Sequence, residues 1–490
     1  MKNFFGKKIN LEFVLSKNFL FFILLLIEIF LFLFLYTKPT PNWLSDPYLY
    51  TRDAYSFYEY NYSSLENFFS QYRSFGGPLF VSIYKFFSPS LNNWGIVNFL
   101  VFSSSLLLLF IALCEYKVSS IFSFLFVLGI LGQTKIWPQF NYFSEVLSLS
   151  LLIFSISLYI FSSIYKKTYL NILFALTLFL TYQTRPLLVV FIGFFIILEL
   201  VILKFDKSKN IFSKESLKII LLTILPLVFF LILRFSVTGH VGIAPYVGAH
   251  IGSHALIHVE NRNTNNSLED SNKFLAKIIE RRDKHKYPCN LNYKELKKLN
   301  LKDENYQTCY LYNTMSLLLE MISQLKNKKP FDEDNPKNYN SWEHVRTLDK
   351  FFMSINNYND IDKELKKFAF EQIKINPKGY IEQFKISFLD SYKTIFKINS
   401  RLIYLYLFSL ILLFLFSRFN KFDSNFRKSD VKIYALVSAT LITNFVSFLL
   451  LNAIHLSQVR LIAIQGIFVI PMIFSFIVCL MSDKFNPKLN

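Results

Sequence analysis

The sequence predicts an all-α polytopic membrane protein with about ten transmembrane helices and one mainly helical extracytoplasmic domain. Three observations predict it. Hydrophobic residues make up 53% and aromatic residues 18% of the 490 positions, more than a soluble core can bury. The apolar residues gather into runs of roughly 17 to 23, the length that crosses a bilayer core as a helix. The net charge of +19 comes largely from basic residues beside those runs, as an anionic membrane face requires. The same charge in a soluble chain would point to nucleic acid; its placement here excludes that partner and points to membrane lipids.

The runs begin near Lys17, Asn93, Ser119, Phe143, Tyr169, Pro186, Leu217, Arg401, Val431 and Val459. The first, from about Val14 to Tyr36, exceeds a signal peptide's apolar core and lacks a small-residue cleavage pattern, so it is expected to stay in the mature chain. Lys7, Lys8 and Lys17 precede it. Lys117, Lys166 and Lys167, the stretch Lys204 to Lys218, the stretch Arg418 to Lys432, and Lys484 fall on the same side if the runs alternate. Both ends are therefore expected in the cytoplasm, with the chain integral to a bacterial inner (plasma) membrane.

The opposite side then receives residues 37–92, 135–142, the turn Thr184-Arg185-Pro186, residues 236–400 and residues 452–458. The short turn equally suits a re-entrant hairpin, which would leave the sidedness of everything else unchanged. The organisation is an N-terminal transmembrane region, 1–235, whose first outer loop is 37–92, then an extracytoplasmic domain, 236–400, and C-terminal transmembrane helices, 401–490. Within the polar domain, Ser271 to Lys284, Thr314 to Leu325 and Asp360 to Ile375 carry apolar residues at helical spacing. Cys289 and Cys309 share that domain; a disulfide and two reduced thiols both fit the sequence.

The first outer loop carries the densest set of reactive side chains. Asp46, Asp53 and Glu59 stand with Arg52 among Tyr55 and Tyr58, an acid/base set at headgroup level. A solvated, aromatic-belted interfacial loop would have the same composition. Glu145 opens the fourth run on the outer side, placed either to complement its helix dipole or to face the same cavity as Asp53. Glu28 and Glu199 lie deeper, where charge is costly, and are read as helix-pairing groups.

Arginine is scarce in this lysine-rich chain, yet Arg52, Arg73, Arg185, Arg234 and Arg460 all map to the outer boundary. Converging guanidinium groups bind phosphate bidentately; separate ones snorkel to ordinary headgroups. Gly239, Gly242, Gly248 and Gly252 follow Arg234 and let backbone N–H groups approach an anion closely. His250, His254 and His258 are four apart in the same stretch. A divalent metal there is one candidate, but no His-Glu-x-x-His pattern accompanies it, so no metal or cofactor is assigned; imidazoles bonding a phosphate or sugar fit better.

In combination these stretches resemble the GT-C class of integral membrane glycosyltransferases, near the protein O-mannosyltransferase and lipid A aminoarabinose transferase groups. The similarity rests on the acidic first loop, Arg73-Ser-Phe-Gly-Gly-Pro-Leu-Phe80, Ser144-Glu145, Thr184-Arg185-Pro186, Arg234 before Thr238-Gly239, Asn376-Pro-Lys-Gly-Tyr380, and Arg460. It implies inverting transfer of a sugar from a polyprenyl-phosphate donor to a lipid, glycan or protein acceptor on the extracytoplasmic face. It also implies an acidic general base in the first loop, carried here to Asp53 with Asp46 as the alternative and Glu145 as an orienting carboxylate. Arg73, Arg185, Arg234 and Arg460 would then hold the donor phosphate, and Tyr55, Tyr58, Glu59, His250 and His254 would line the sugar or acceptor pocket. Two other classes compete: a lipid or polysaccharide transporter or flippase, whose mark would be internal repeats and interrupted spans, and a surface-polysaccharide polymerase or ligase. Neither repeats nor interrupted spans are legible in the sequence.

Overall fold

The computed structural model describes residues 16–36, 68–69, 74–87, 94–133, 144–205, 214–243, 247–256, 275–280, 317, 320–321, 359–404, 406–408, 430–454 and 459–484. Those residues are mainly helical, with a few short turns among them. The membrane-facing part comprises α1 (Lys17–Tyr36), α2 (Gly76–Phe87), α3 (Trp94–Glu115), α4 (Ser120–Leu131), α5 (Ser144–Tyr165), α6 (Thr168–Thr184), a 3₁₀ turn (Pro186–Val190) running into α7 (Phe191–Phe205), and α8 (Lys214–Thr238). Next come α9 (Val247–Leu256) and α10 (Asn359–Ile375) of the polar region. These are followed by α11 (Pro377–Ile398), α12 (Asp430–Ile454), α13 (Val459–Gln465) and α14 (Val469–Lys484).

Six segments among the described residues are long and apolar enough to cross a membrane: Gly95–Glu115, Glu145–Tyr165, Pro186–Leu203, Ser216–Thr238, Lys432–Ile454 and Ile462–Leu480. This is the pattern of a polytopic membrane protein. The run expected to start at Ser119 folds differently from expectation. Its helix α4 has 12 residues, about 18 Å at the helical rise, and closes at Gly132, whose N–H bonds the Leu128 carbonyl at 2.8 Å.

Three contacts gather separate helix ends at one end of the bundle. Lys17 at the start of α1 pairs with Glu115 at the close of α3, 2.5 Å apart. Lys432 at the start of α12 donates to the Tyr116 carbonyl at 2.6 Å and lies 4.0 Å from the centre of its ring. One turn or more further in, Glu199 of α7 accepts from Tyr159 of α5 at 2.5 Å and from Ser216 of α8 at 2.8 Å. Glu28 of α1 accepts from Ser103 of α3. Each intramembrane carboxylate thus ties two helices or more, the arrangement that makes such a charge tolerable among apolar side chains.

The core lies between α3, α5, α6, α7 and α12, where Phe102, Phe110, Tyr159, Phe174, Phe195 and Leu436 are buried. Edge-on aromatic packing joins α5, α6 and α7, with Phe174 and Phe195 4.9 Å apart. Helix α8 stands at the rim: Leu217, Leu221, Leu225, Phe229 and Ile232 are all exposed on it, a lipid-facing stripe at helical spacing.

Candidate functional site

The opposite end of the bundle collects the motifs that stand far apart in the sequence. Helices α5 and α6 form an antiparallel hairpin, so the first turn of α5 meets the last of α6. There Glu145, fully buried, is paired with Arg185. Proline at 186 explains the geometry. It disfavours helical backbone at the residue before it and lacks an N–H of its own, and Arg185 is accordingly extended, with φ −140° and ψ 100°. Its N–H still bonds the Thr181 carbonyl at 3.0 Å, while its own carbonyl accepts from Leu188 at 2.9 Å. The side chain is left to reach back over the hairpin. An anion in the first turn of α5 and a cation at the end of α6 both complement the helix dipoles, so the pair sits where two backbones favour it.

The Gly-Gly-Pro stretch arrives at the same place. A Cβ at Gly76 would lie 2.6 Å from the backbone carbon of Gln183 and from the backbone nitrogen of Thr184; only glycine lets α2 begin against the end of α6. Phe75 and Phe179 pack 6.0 Å apart across this junction and Phe69 packs on Phe230 of α8. Tyr182 and Gln183, on the last turn of α6, are buried, and neither the hydroxyl nor the amide has a hydrogen-bond partner among the described residues.

The glycine-rich stretch after α8 binds an anion, and that anion is the chain's own. The Gly248 N–H at the start of α9 donates to Asp362 Oδ1 at 2.6 Å, and Lys366 lies 2.7 Å from Asp362 Oδ2. A Cβ at Gly248 would meet the Asp362 carbonyl oxygen at 2.5 Å, so α9 and α10 close directly on one another. His240 Nε2 is 3.4 Å from the same carboxylate. Burial first, then the charges of Lys366 and Arg234, push its imidazole down from 6.5 to about 4. The nearby carboxylate would oppose that shift, but it is already engaged by Lys366 and the Gly248 N–H, and the imidazole stays neutral at physiological pH.

Arg234, 1% exposed, donates to the Gly242 carbonyl at 2.6 Å and to Asn359 Oδ1 at 3.0 Å. It therefore fastens the end of α8 to the start of α10. His250 and His254 stand one turn apart on α9, His254 fully buried and His250 partly so. Among the described residues no group of three or more His, Cys, Asp or Glu side chains is arranged to hold a metal. Arg460 begins α13, at the same end. Asn376 caps α11 by accepting from the Gly379 N–H at 3.0 Å, and Tyr380 donates to the Ala453 carbonyl at the close of α12. Asp46, Arg52, Asp53, Tyr55, Tyr58, Glu59, Arg73, His258, Cys289 and Cys309 lie outside the described residues.

Asn359 and Asp362 were missed by the sequence reading. Their only signal was the acidic first turn of a helix, Asn359-Asp-Ile-Asp362, which is common. A second omission concerns the last span. Helix α13 ends at Gln465 and α14 begins at Val469, with a turn at 466–468 between them; the span is interrupted, contrary to the continuous run expected. No family model and no curated protein matches this chain.

Proposed function

We propose that this chain is an integral membrane glycosyltransferase that transfers a sugar from a polyprenyl-phosphate donor to a lipid, glycan or protein acceptor. The chain crosses the plasma membrane several times with both ends in the cytoplasm, and the Glu145–Arg185 end faces outward. The observation that carries the reading is the meeting of three motifs named for the resemblance: Gly76 of the Arg73-to-Phe80 stretch rests on Gln183 and Thr184 while Arg185 pairs with Glu145. The acceptor hydroxyl attacks the anomeric carbon, its proton passes to Asp53, and the bond from that carbon to the phosphate oxygen breaks, releasing polyprenyl phosphate. No covalent intermediate with the protein is needed.

The test is Asp53→Asn, which keeps shape and removes the proton acceptor. Positioned general bases contribute roughly 10² to 10⁴ in rate, so release of lipid phosphate from a panel of polyprenyl-phosphate sugars falls by that factor while the variant inserts normally. Normal release by Asp53→Asn with loss in Asp46→Asn moves the base to Asp46; normal release by both removes the mechanism. A second reading, a lipid or polysaccharide transporter, is favoured by the interrupted last span. It expects movement of lipid across a vesicle without cleavage.

A further inference from the structure

Helix α11 is built the wrong way round for a helix in water. Its buried residues are mostly polar: Gln383, Ser387, Ser391 and Thr394, with Ile395. Ile381, Leu389 and Phe396 are instead 50%, 60% and 47% exposed. They alternate along one stripe with the exposed Lys378, Lys385, Lys393 and Lys397, at the steps of three and four that keep positions on one side of a helix. None of these four lysines takes part in an ion pair among the described residues. The two carboxylates of the helix, Glu382 and Asp390, are half-buried, so the charge it presents outward is positive.

The contacts of α11 hold it beside the ends of two spans. Tyr380 donates to the Ala453 carbonyl and Ser391 bonds the Asn452 side chain at 3.2 Å, both at the close of α12. Ile395 shares a buried cluster with Leu451 of α12 and Ile462 of α13, and fills the space that a Cβ at Gly466 would need. Tyr380 and Ile395 are about 22 Å apart along the helix at its rise per residue. Over that length the helix stays with the end where α12 closes and α13 opens. This lays α11 along the boundary of the bilayer and not through it.

The exposed stripe therefore asks for two things at once, an apolar medium for Ile381, Leu389 and Phe396 and anions within reach of the lysines. An acidic soluble protein or glycan would meet the lysines and leave the apolar side chains without cover. Bare hydrocarbon would do the reverse. The headgroup boundary of an anionic bilayer meets both: apolar side chains enter the acyl region while lysine stems carry their ammonium groups to the phosphates. We infer that the exposed face of α11 is a docking surface for anionic phospholipid. The inference is independent of the glycosyltransferase reading. Anchored there, α11 would hold α10, which precedes it by one residue and carries Asn359 and Asp362, close to headgroup level.

The experiment places a photo-crosslinking phenylalanine analogue at position 389 of the full chain, in nanodiscs of equal parts phosphatidylcholine and phosphatidylglycerol. Mass spectrometry then reads the lipid adducts. Adducts with phosphatidylglycerol should exceed those with phosphatidylcholine severalfold at low salt. The ratio should fall toward one in high salt, which screens the lysines, and in the variant carrying Lys385→Gln and Lys393→Gln, with lipid adducts still formed. No lipid adduct at all would turn the face toward water or an acidic protein and overturn the inference. Equal yields from the two lipids at low salt would make it an apolar face without preference for anions, and overturn it equally. So would a preference for phosphatidylglycerol that survives the lysine substitutions. Should that variant fail to insert, the salt dependence of the ratio decides.

Discussion

The two ends of the bundle use charge in opposite ways. At the lysine end, Lys17 and Glu115 meet with side chains 38% and 40% exposed, and the bond joins two helices across a wet boundary. At the other end Glu145, Asp362 and Arg234 are 0%, 1% and 1% exposed, each with its partner supplied by another element. The first kind of charge sets which way a span points and adds little to stability. The second is committed: once desolvated, each charge depends on the groups that meet it, Arg185 for Glu145, Lys366 and the Gly248 N–H for Asp362, and the Gly242 carbonyl and Asn359 amide oxygen for Arg234.

That contrast can be broken at its strongest point. Replacing Arg185 with Met leaves Glu145 buried without its partner and is expected to cost about 3–5 kcal/mol, read as a fall in Tm in detergent. Arg185→Met combined with Glu145→Leu should recover much of the loss, because no charge is then stranded. A double variant as unstable as the single would show that the pair holds the hairpin through shape and not through charge.

The Asp362 cluster sharpens the comparison by pH. His240 is depressed from 6.5 to about 4, so the unfolded chain binds the proton first on acidification. Its contribution to stability is whole above about pH 6.5 and is lost as the pH falls toward 4, at no more than about 1.4 kcal/mol per pH unit. Unfolding followed from pH 7 to 4.5 should show that slope, and His240→Gln should flatten it while Lys366, Arg234 and Asp362 remain. At the lysine end the expectation is smallest: Lys17→Met should change stability by only about 0.2–1 kcal/mol, and less in high salt. A loss as large as that of Arg185→Met would erase the distinction between the ends.

What could be read in the sequence was local. Proline after Arg185 announces a helix end with an extended arginine, and the glycines around Gly248 announce a close backbone approach; both are present in the structure. The partner of Gly248, Asp362, is 114 residues away, beyond the reach of periodicity. The interrupted span was hidden for a different reason. From Leu461 to Leu480 the sequence reads as one apolar run, and only Gln465, Gly466 and Pro471 mark the turn; hydropathy averages over a break that costs few polar residues. Glu145 was legible as a carboxylate at a helix start, but its commitment to Arg185 depends on the hairpin fold. The general base assigned to the first loop lies outside the described residues, and its test stays chemical.

The two-residue link at Lys166 and Lys167, with Lys166 at φ 54°, has a consequence for biogenesis. It joins α5 and α6 so tightly that Ser162 bonds Asn171 across it and Tyr159 packs on Phe174 at 5.8 Å. Contacts of such short sequence separation form quickly and before distant segments are made. Residues 144–185 can therefore leave the ribosome and enter the bilayer as one closed hairpin, with Glu145 meeting Arg185 before α12 has been synthesised. The Glu145 carboxylate then does not have to wait for a partner from the far end of the chain.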